Sequence, residues 1–251
     1  AGAMRLAPTR RACLFIAVLG CYVSHAQPVI APMGLGIGIS GPLRMEADAA
    51  DSSLYICGAF TEVEGAMSPS VTRWDGIGFH PLGCGLHGGA WDCITPGNGG
   101  ASSPTTDLEF WNGELYACGA FTHSGQTALN RVARWDGTAW QPLGAGADGT
   151  VASLRAGPDG LYAAGLFNQI DTITALGLAR WDGTRWHRVH DLPDITPLQG
   201  TNSIYDLAFY DGMLYIAGNF KGPLGNSIAR WNGAAWEGLP GGALFAGSYS
   251  W

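Results

Sequence analysis

One short pattern of residues recurs four times along this chain of 251 residues. Leu54-Tyr55 and Gly58-Ala59-Phe60 precede Arg73-Trp74-Asp75-Gly76. Leu115-Tyr116 and Gly119-Ala120-Phe121 precede Arg134-Trp135-Asp136-Gly137 and then Trp140. Leu161-Tyr162 and Gly165-Leu166-Phe167 precede Arg180-Trp181-Asp182-Gly183 and Trp186. Leu214-Tyr215 and Gly218-Asn219-Phe220 precede Arg230-Trp231-Asn232-Gly233 and Trp236. The tryptophans after the arginines stand 61, 46 and 50 residues apart. A repeat of that length is one supersecondary unit that buries its apolar face only by stacking on its neighbours, so the chain reads as an array.

The third unit shows how one repeat folds. Val151 to Ala156 is a short strand, Pro158-Asp159-Gly160 a turn, and Leu161 to Phe167 an apolar strand with a glycine inside it. Ala175 to Trp181 makes a third strand, Asp182-Gly183 a tight turn, and Arg185 to Val189 a fourth. Asp-Gly between apolar runs signals a hairpin, because glycine adopts positive φ without a Cβ clash. The first turn recurs as Asn112-Gly113 and Asp211-Gly212, and the last turn recurs in every unit. Each unit is therefore expected to be a four-stranded antiparallel meander. Its second strand, such as Leu54 to Phe60, is apolar on both faces and must be covered on both sides. Small sheets that bury two faces stack radially, as in a β-propeller. Gly58, Gly119, Gly165 and Gly218 mark places where backbones approach closely. With 39 glycines and 47% hydrophobic residues, the composition suits a packed fold of many tight turns.

These residues resemble the kelch repeat of the galactose oxidase central domain. They are more closely similar to a secreted bacterial variant of the form LYxGGxF…IARWDGxxWxxLG. The resemblance covers about residues 40–240. It departs from the pattern where the usual glycine doublet reads Cys57-Gly58, Cys118-Gly119, Ala164-Gly165 and Ala217-Gly218, and where Phe79 replaces the second tryptophan. The fold class expected is all-β: a β-propeller of four-stranded blades, with units at about 40–83, 104–144, 150–190 and 202–240. Four units are visible in an array that is open or truncated. Ala31 to Gly36, which reads like the end of a unit, is a candidate for closing the ring.

Arg5, Arg10 and Arg11 precede the apolar stretch Ala12 to Val23 and the small-residue pattern Ser24-His25-Ala26. This reads as a secretory signal peptide over residues 1–26, since the apolar run is short for a bilayer span. A lipoprotein reading at Cys21 is a minor alternative. The domain would then run over residues 27–251, with a charge of −10 and Lys221 as its one lysine. An acidic surface repels phosphate backbones, which argues against nucleic acid, and no later segment is long and apolar enough for a membrane span. A secreted or cell-surface location follows.

Cys57, Cys84, Cys93 and Cys118 would then meet an oxidising compartment. Cys84 and Cys93 share one glycine-rich loop and read as a local disulfide. Cys57 and Cys118 occupy equivalent strand positions and read as buried, reduced side chains. No C-x-x-C or H-E-x-x-H pattern suggests a metal site, and no cofactor is expected.

The connections between second and third strands, and those between units, vary most in length, and a propeller exposes both sets on one face. Variable loops on a rigid scaffold are how binding surfaces are commonly built. The loop from Gly83 to Thr105 carries His87, Trp91 and Asp92 beside the expected disulfide. Glu62, Glu64, His123, Asp171 and Asp191 lie in the other variable loops. These eight are the candidate ligand contacts. Arg73-Trp74, Arg134-Trp135, Arg180-Trp181 and Arg230-Trp231, one pair per unit, read as structural. The sequence favours a non-enzymatic binding module for a protein or glycan. The alternatives are a glycosidase using loop carboxylates, a copper oxidase of the galactose oxidase type, whose His/Tyr ligands and Tyr–Cys crosslink match no residues one by one, and a structural segment of a larger cell-surface protein.

Overall fold

A computed structural model of the chain describes residues 42–48, 50–94, 104–189, 196–197, 203–222 and 225–239. The chain divides into two compact units, Ala1–Leu35 and Gly36–Trp251, and all described residues belong to the second. The expected signal peptide, the candidate closing segment Ala31 to Gly36 and Asp191 lie outside the described residues.

The described residues are all-β and form four propeller-type blades of antiparallel strands that, among these residues, do not close into a ring. Blade one comprises Pro42–Asp48, Ser53–Gly58, Val71–Trp74 and Phe79–Pro81. Blade two comprises Thr105–Trp111, Glu114–Gly119, Val132–Trp135 and Trp140–Pro142. Blade three comprises Val151–Gly157, Gly160–Gly165, Leu178–Trp181 and Trp186–Arg188. Blade four comprises Ser203–Tyr210, Met213–Gly222, Gly225–Trp231 and Trp236–Gly238, with Thr196–Pro197 added beside Phe220 and Lys221. The turns expected at Asn112-Gly113 and Asp211-Gly212 have positive φ at both residues, the type I′ geometry that matches strand twist. The third strand of blade three starts at Leu178 rather than Ala175, because the preceding residues form a small hairpin, Gln169–Ile170 against Ile173–Thr174. Blades one and two carry the same hairpin at Glu62–Val63 with Ala66–Met67 and at His123–Ser124 with Thr127–Ala128.

The recurring residues are rungs across each sheet. Leu115 pairs with Trp135, which pairs with Trp140; Leu161, Trp181 and Trp186 repeat the rung, as do Leu214, Trp231 and Trp236. In blade one the rung is Leu54, Trp74, Phe79. Ring centroids within these aromatic pairs lie 4.8–5.6 Å apart in tilted contact. The adjacent rung sets tyrosine opposite arginine: Tyr55–Arg73, Tyr116–Arg134, Tyr162–Arg180 and Tyr215–Arg230. In blade two Glu114 joins both, accepting from Arg134 at 2.5 Å and from the Tyr116 hydroxyl at 3.0 Å. Asp159 does the same in blade three, at 2.8 Å from Arg180 and 2.9 Å from Tyr162. Arg134 and Arg180 thus tie the second strand, the third strand and the first turn together, whereas Arg230 reaches Glu237 on the fourth strand at 2.9 Å.

The Trp-Asp-Gly turns close by a side-chain cap. Asp136 Oδ1 accepts from the N–H groups of Thr138 and Ala139, while Oδ2 accepts from Gln141 Nε2 at 2.7 Å. Asp75 and Asp182 do likewise, with His80 and His187 in the place of Gln141. In blade four Asn232 replaces the aspartate and donates from Nδ2 to Glu237 Oε1 at 2.6 Å. Carboxylates meet donors and the amide meets an acceptor, so each cap is satisfied.

Glycine at the end of the second strand answers a β-bulge in the first strand of each blade, at Pro42/Arg44, Thr105/Asp107, Val151/Ser153 and Ile204/Asp206. A Cβ on Gly119 would lie 2.2 Å from the Pro104 carbonyl oxygen, and one on Gly165 2.2 Å from that of Thr150.

Apolar clusters fill the spaces between successive blades. Tyr55, Cys57, Val71 and Leu82 of blade one meet Leu108, Phe121 and Trp140 of blade two. Tyr116, Cys118, Val132 and Leu143 meet Leu154, Phe167 and Trp186, and Ala164 and Leu178 meet Leu207, Phe220 and Trp236. The indole N–H groups of Trp140 and Trp186 bond the carbonyls of Leu82 and Leu143 in the preceding blade, at 3.2 and 3.1 Å. The second tryptophan of each rung is therefore the deeply buried one. Of the first tryptophans, which the sequence singles out, only Trp181 is as fully covered, at 9% exposed.

Candidate functional site

The connectors between blades and the small hairpins form one interlocked rim. After blade one the chain runs past Pro69, whose carbonyl accepts the Leu86 N–H, and then pairs with the hairpin of blade two through His87 N–H to His123 O at 3.0 Å. After blade two Ala147 N–H bonds Asn130 O, and Asp148 N–H bonds Gln169 O in the blade-three hairpin. Gly85 and Gly146, at φ +65° and +75°, allow this crossing, since a Cβ on either would lie 2.4 Å from the carbonyl beneath. The hairpins of blades two and three lie along the fourth strand of their own sheets, which places the rim on the outer flank of the blades.

His87 is buried inside the rim. Its Nε2 accepts from the Gly125 N–H at 2.9 Å, which puts the ring proton on Nδ1, donating to Gly89 O at 2.7 Å. Burial pushes its pKa down, so the ring is neutral at pH 7. Asp148 holds the equivalent place in the next connector, where its Oδ1 accepts from the N–H groups of Asn168 and Gln169. The equivalent donors of the blade-two hairpin, the N–H groups of Thr122 and His123, go instead to the backbone carbonyl of His87, at 2.9 Å each.

Cys84 and Cys93 form a disulfide with Cα atoms 5.3 Å apart, and Cys57 and Cys118 are free and buried. The bridge presses on Gly125, where a Cβ would lie 3.0 Å from Cys93 Sγ and 3.1 Å from Cys84 Sγ. Trp91 is buried with its ring edge-on to His87 at 5.6 Å. Its N–H donates to Gly125 O, and its carbonyl accepts from Gln126 Nε2 at 2.9 Å. Beside the bridge lies a cavity of about 260 Å³ whose polar lining includes Asp92, Ser124, Gln126, Thr127 and Thr138.

The structure gathers His87, Trp91, Asp92 and His123 about the disulfide, although the His87 and Trp91 rings brace the loop from inside. Glu62 and Glu64 are exposed on the blade-one hairpin, Glu64 at a positive-φ turn position. Asp171 takes the same turn position in blade three, where Oδ1 accepts the Ala145 N–H at 3.1 Å and its own N–H bonds Gly146 O. His123 Nδ1 bonds Thr122 Oγ1 at 2.8 Å.

A second polar assembly escaped the sequence reading. The first strands place Arg44, Asp107, Ser153 and Asp206 at one register just after each bulge, and Glu46, Glu109, Arg155 and Ala208 two residues on. Asp107 is buried; its Oδ2 accepts the Ser153 hydroxyl and the Leu154 N–H, both at 3.0 Å. Arg155 Nη1 bonds Glu109 at 3.0 Å, and Arg155 Nη2 approaches Asp206 at 3.8 Å. Arg44 approaches Asp107 at 3.9 Å. Burial pushes the Asp107 and Glu46 carboxyls above their usual range, with Glu109 adding to the shift of Glu46. The signal was the repetition of charge at one strand position, which shows only when the first strands are aligned on their bulges.

Among the described residues no group of three His, Cys, Asp or Glu side chains is placed to hold a metal ion, and no helix is long and apolar enough to cross a membrane. The chain matches no family model, and no curated protein is similar to it.

Proposed function

We propose that this protein is a secreted binding module whose recognition surface is the rim of hairpins and connectors, with the disulfide-braced cavity beside Trp91 as its specificity site. The carrying observation is that cavity: Asp92, Gln126, Ser124, Thr127 and Thr138 are among the residues lining a space of about 260 Å³ beside the Cys84–Cys93 bridge. Preorganised hydrogen-bonding groups suit the hydroxyls of a glycan, and a polar loop of a protein would use the same groups. Contact would run through hydrogen bonds rather than ring stacking, because the Trp91 and Trp140 rings are buried. The disulfide suits an oxidising compartment, which supports export.

A glycan array probed with the purified protein tests this reading, with Thr127→Trp as the blocked form. Thr127 is exposed at the cavity, so an indole there fills the space without disturbing the core. The expected outcome is selective glycan binding that Thr127→Trp abolishes at unchanged melting temperature. Binding that survives the substitution would move the site elsewhere.

A further inference from the structure

We infer that the two ends of the blade array are complementary and that a second copy of this chain docks head to tail, blade four of one copy against blade one of the other. The template is the interface repeated three times inside the chain. In each, a leucine of the first strand of the following blade is buried against the preceding blade: Leu108, Leu154 and Leu207 are 1%, 0% and 2% exposed. Met45 occupies that register in blade one and is 60% exposed. At the opposite end, the preceding-blade face shows the same difference. Cys57 and Val71, Cys118 and Val132, and Ala164 and Leu178 are wholly buried, whereas their blade-four equivalents Ala217 and Ile228 are only partly buried. Packing like that between blades one and two, two and three, and three and four is not found between the described strands of blades four and one.

Charge selects the occupant. The register ladder of the first strands begins with Arg44 and ends with Asp206, whose side chains are 55% and 52% exposed. In a head-to-tail joint Asp206 of one copy faces Arg44 of the next, as Asp107 faces Arg44 within the chain. A two-fold pair uses this heterologous contact twice, and its eight described blades then match the size range of natural propellers. Blade one has Phe79 where the others have Trp140, Trp186 and Trp236, so the joint lacks the indole-to-carbonyl bond and is weaker than the internal interfaces.

Sedimentation of the full chain over a concentration series, at low and high salt, tests the inference. Wild type is expected to dimerise reversibly and to weaken as salt rises. Arg44→Asp alone and Asp206→Arg alone place like charges in both joints, and each is expected to lose roughly tenfold or more in association. Mixing the two variants sets opposite charges against each other again in both joints of the mixed pair, and restores the dimer. Met45→Lys alters a position already exposed, so it is expected to leave the circular dichroism unchanged while weakening association. A wild type that stays monomeric, a Met45→Lys protein that dimerises as well as wild type, or folded charge variants that fail to rescue one another would each overturn it. Glycan binding at the rim is read separately, so failure of this joint and failure of the rim site are distinguishable.

Discussion

The indole Nε1 of Trp140 donates a hydrogen bond to the carbonyl oxygen of Leu82, 3.2 Å away and 58 residues earlier in the chain. Trp186 makes the same bond to Leu143, so the recurring tryptophan fastens each blade to the one before it. Trp140→Phe keeps an aromatic ring and removes this bond while the carbonyl retains the Gly85 N–H, at an expected cost of about 0.5–1.5 kcal/mol. Trp140→Ala opens a cavity and is expected to cost about 3–5 kcal/mol. Denaturant unfolding separates the two, and a Trp140→Phe protein as stable as wild type would mean that the bond contributes nothing.

Gly119→Ala sets a methyl carbon against the Pro104 carbonyl, on a bulge that cannot retreat without breaking strand pairing. Destabilisation of roughly 1–3 kcal/mol or more is expected from such overpacking. Gly78→Ala is the control, because nothing lies within 4 Å of the added carbon and no positive φ is imposed there. Similar melting shifts for the two would contradict the close-approach account.

The turn caps predict a charge-matched exchange. Asn232→Asp places a carboxylate against Glu237 and is expected to destabilise the protein at neutral pH, with the effect fading once the medium is acid enough to protonate the pair. Adding Glu237→Gln recreates the Asp136–Gln141 pair and restores much of the loss. A double variant no better than Asn232→Asp alone would refute the donor–acceptor logic.

Acid should act on two sets of carboxylates in opposite directions. Asp75 and Asp136, held mainly by turn N–H groups, and Asp182, held first by His187, sit well below the usual carboxylate range. Their contribution is present above about pH 4 and is lost as the pH falls through their depressed values. Burial raises Asp107, so its contribution is present in acid and is lost as the pH rises through its elevated value. Asp107→Asn, whose side chain does not titrate, is therefore expected to gain stability relative to wild type between acid and neutral pH. A relative loss over that interval would mean that Arg155 outweighs desolvation.

Reduction is expected to act on the rim alone. The Cys84–Cys93 bridge closes about ten residues and contributes roughly 2–3 kcal/mol by chain entropy. The thiols of Cys57 and Cys118 are buried and pushed far up in pKa by desolvation, so they should alkylate only after unfolding. Peptide mapping of native and denatured protein reads both outcomes directly.

Much of the architecture was written in local pattern. Tyr116 and Arg134, or Leu161 and Trp181, recur because cross-strand partners must repeat when the sheet repeats, and a turn such as Asp182-Gly183 carries its own positive φ and cap. The Cys84–Cys93 pair was legible for the same reason, because glycine-rich chain brings near neighbours together. Chain folding alone decided what depends on stacking. Met45 and Leu108 look equivalent in sequence, yet one is exposed and the other buried, because burial depends on whether a neighbouring blade lies against that face. His87 reads as an exposed loop ligand, but the crossing of connector and hairpin encloses it and occupies both ring nitrogens. Asp107 and Arg155 stand 48 residues apart and reach the same ladder only because the bulges set successive first strands in register. Sequence periodicity fixes which residues are alike, whereas burial and partners arise from long-range packing that no local pattern encodes.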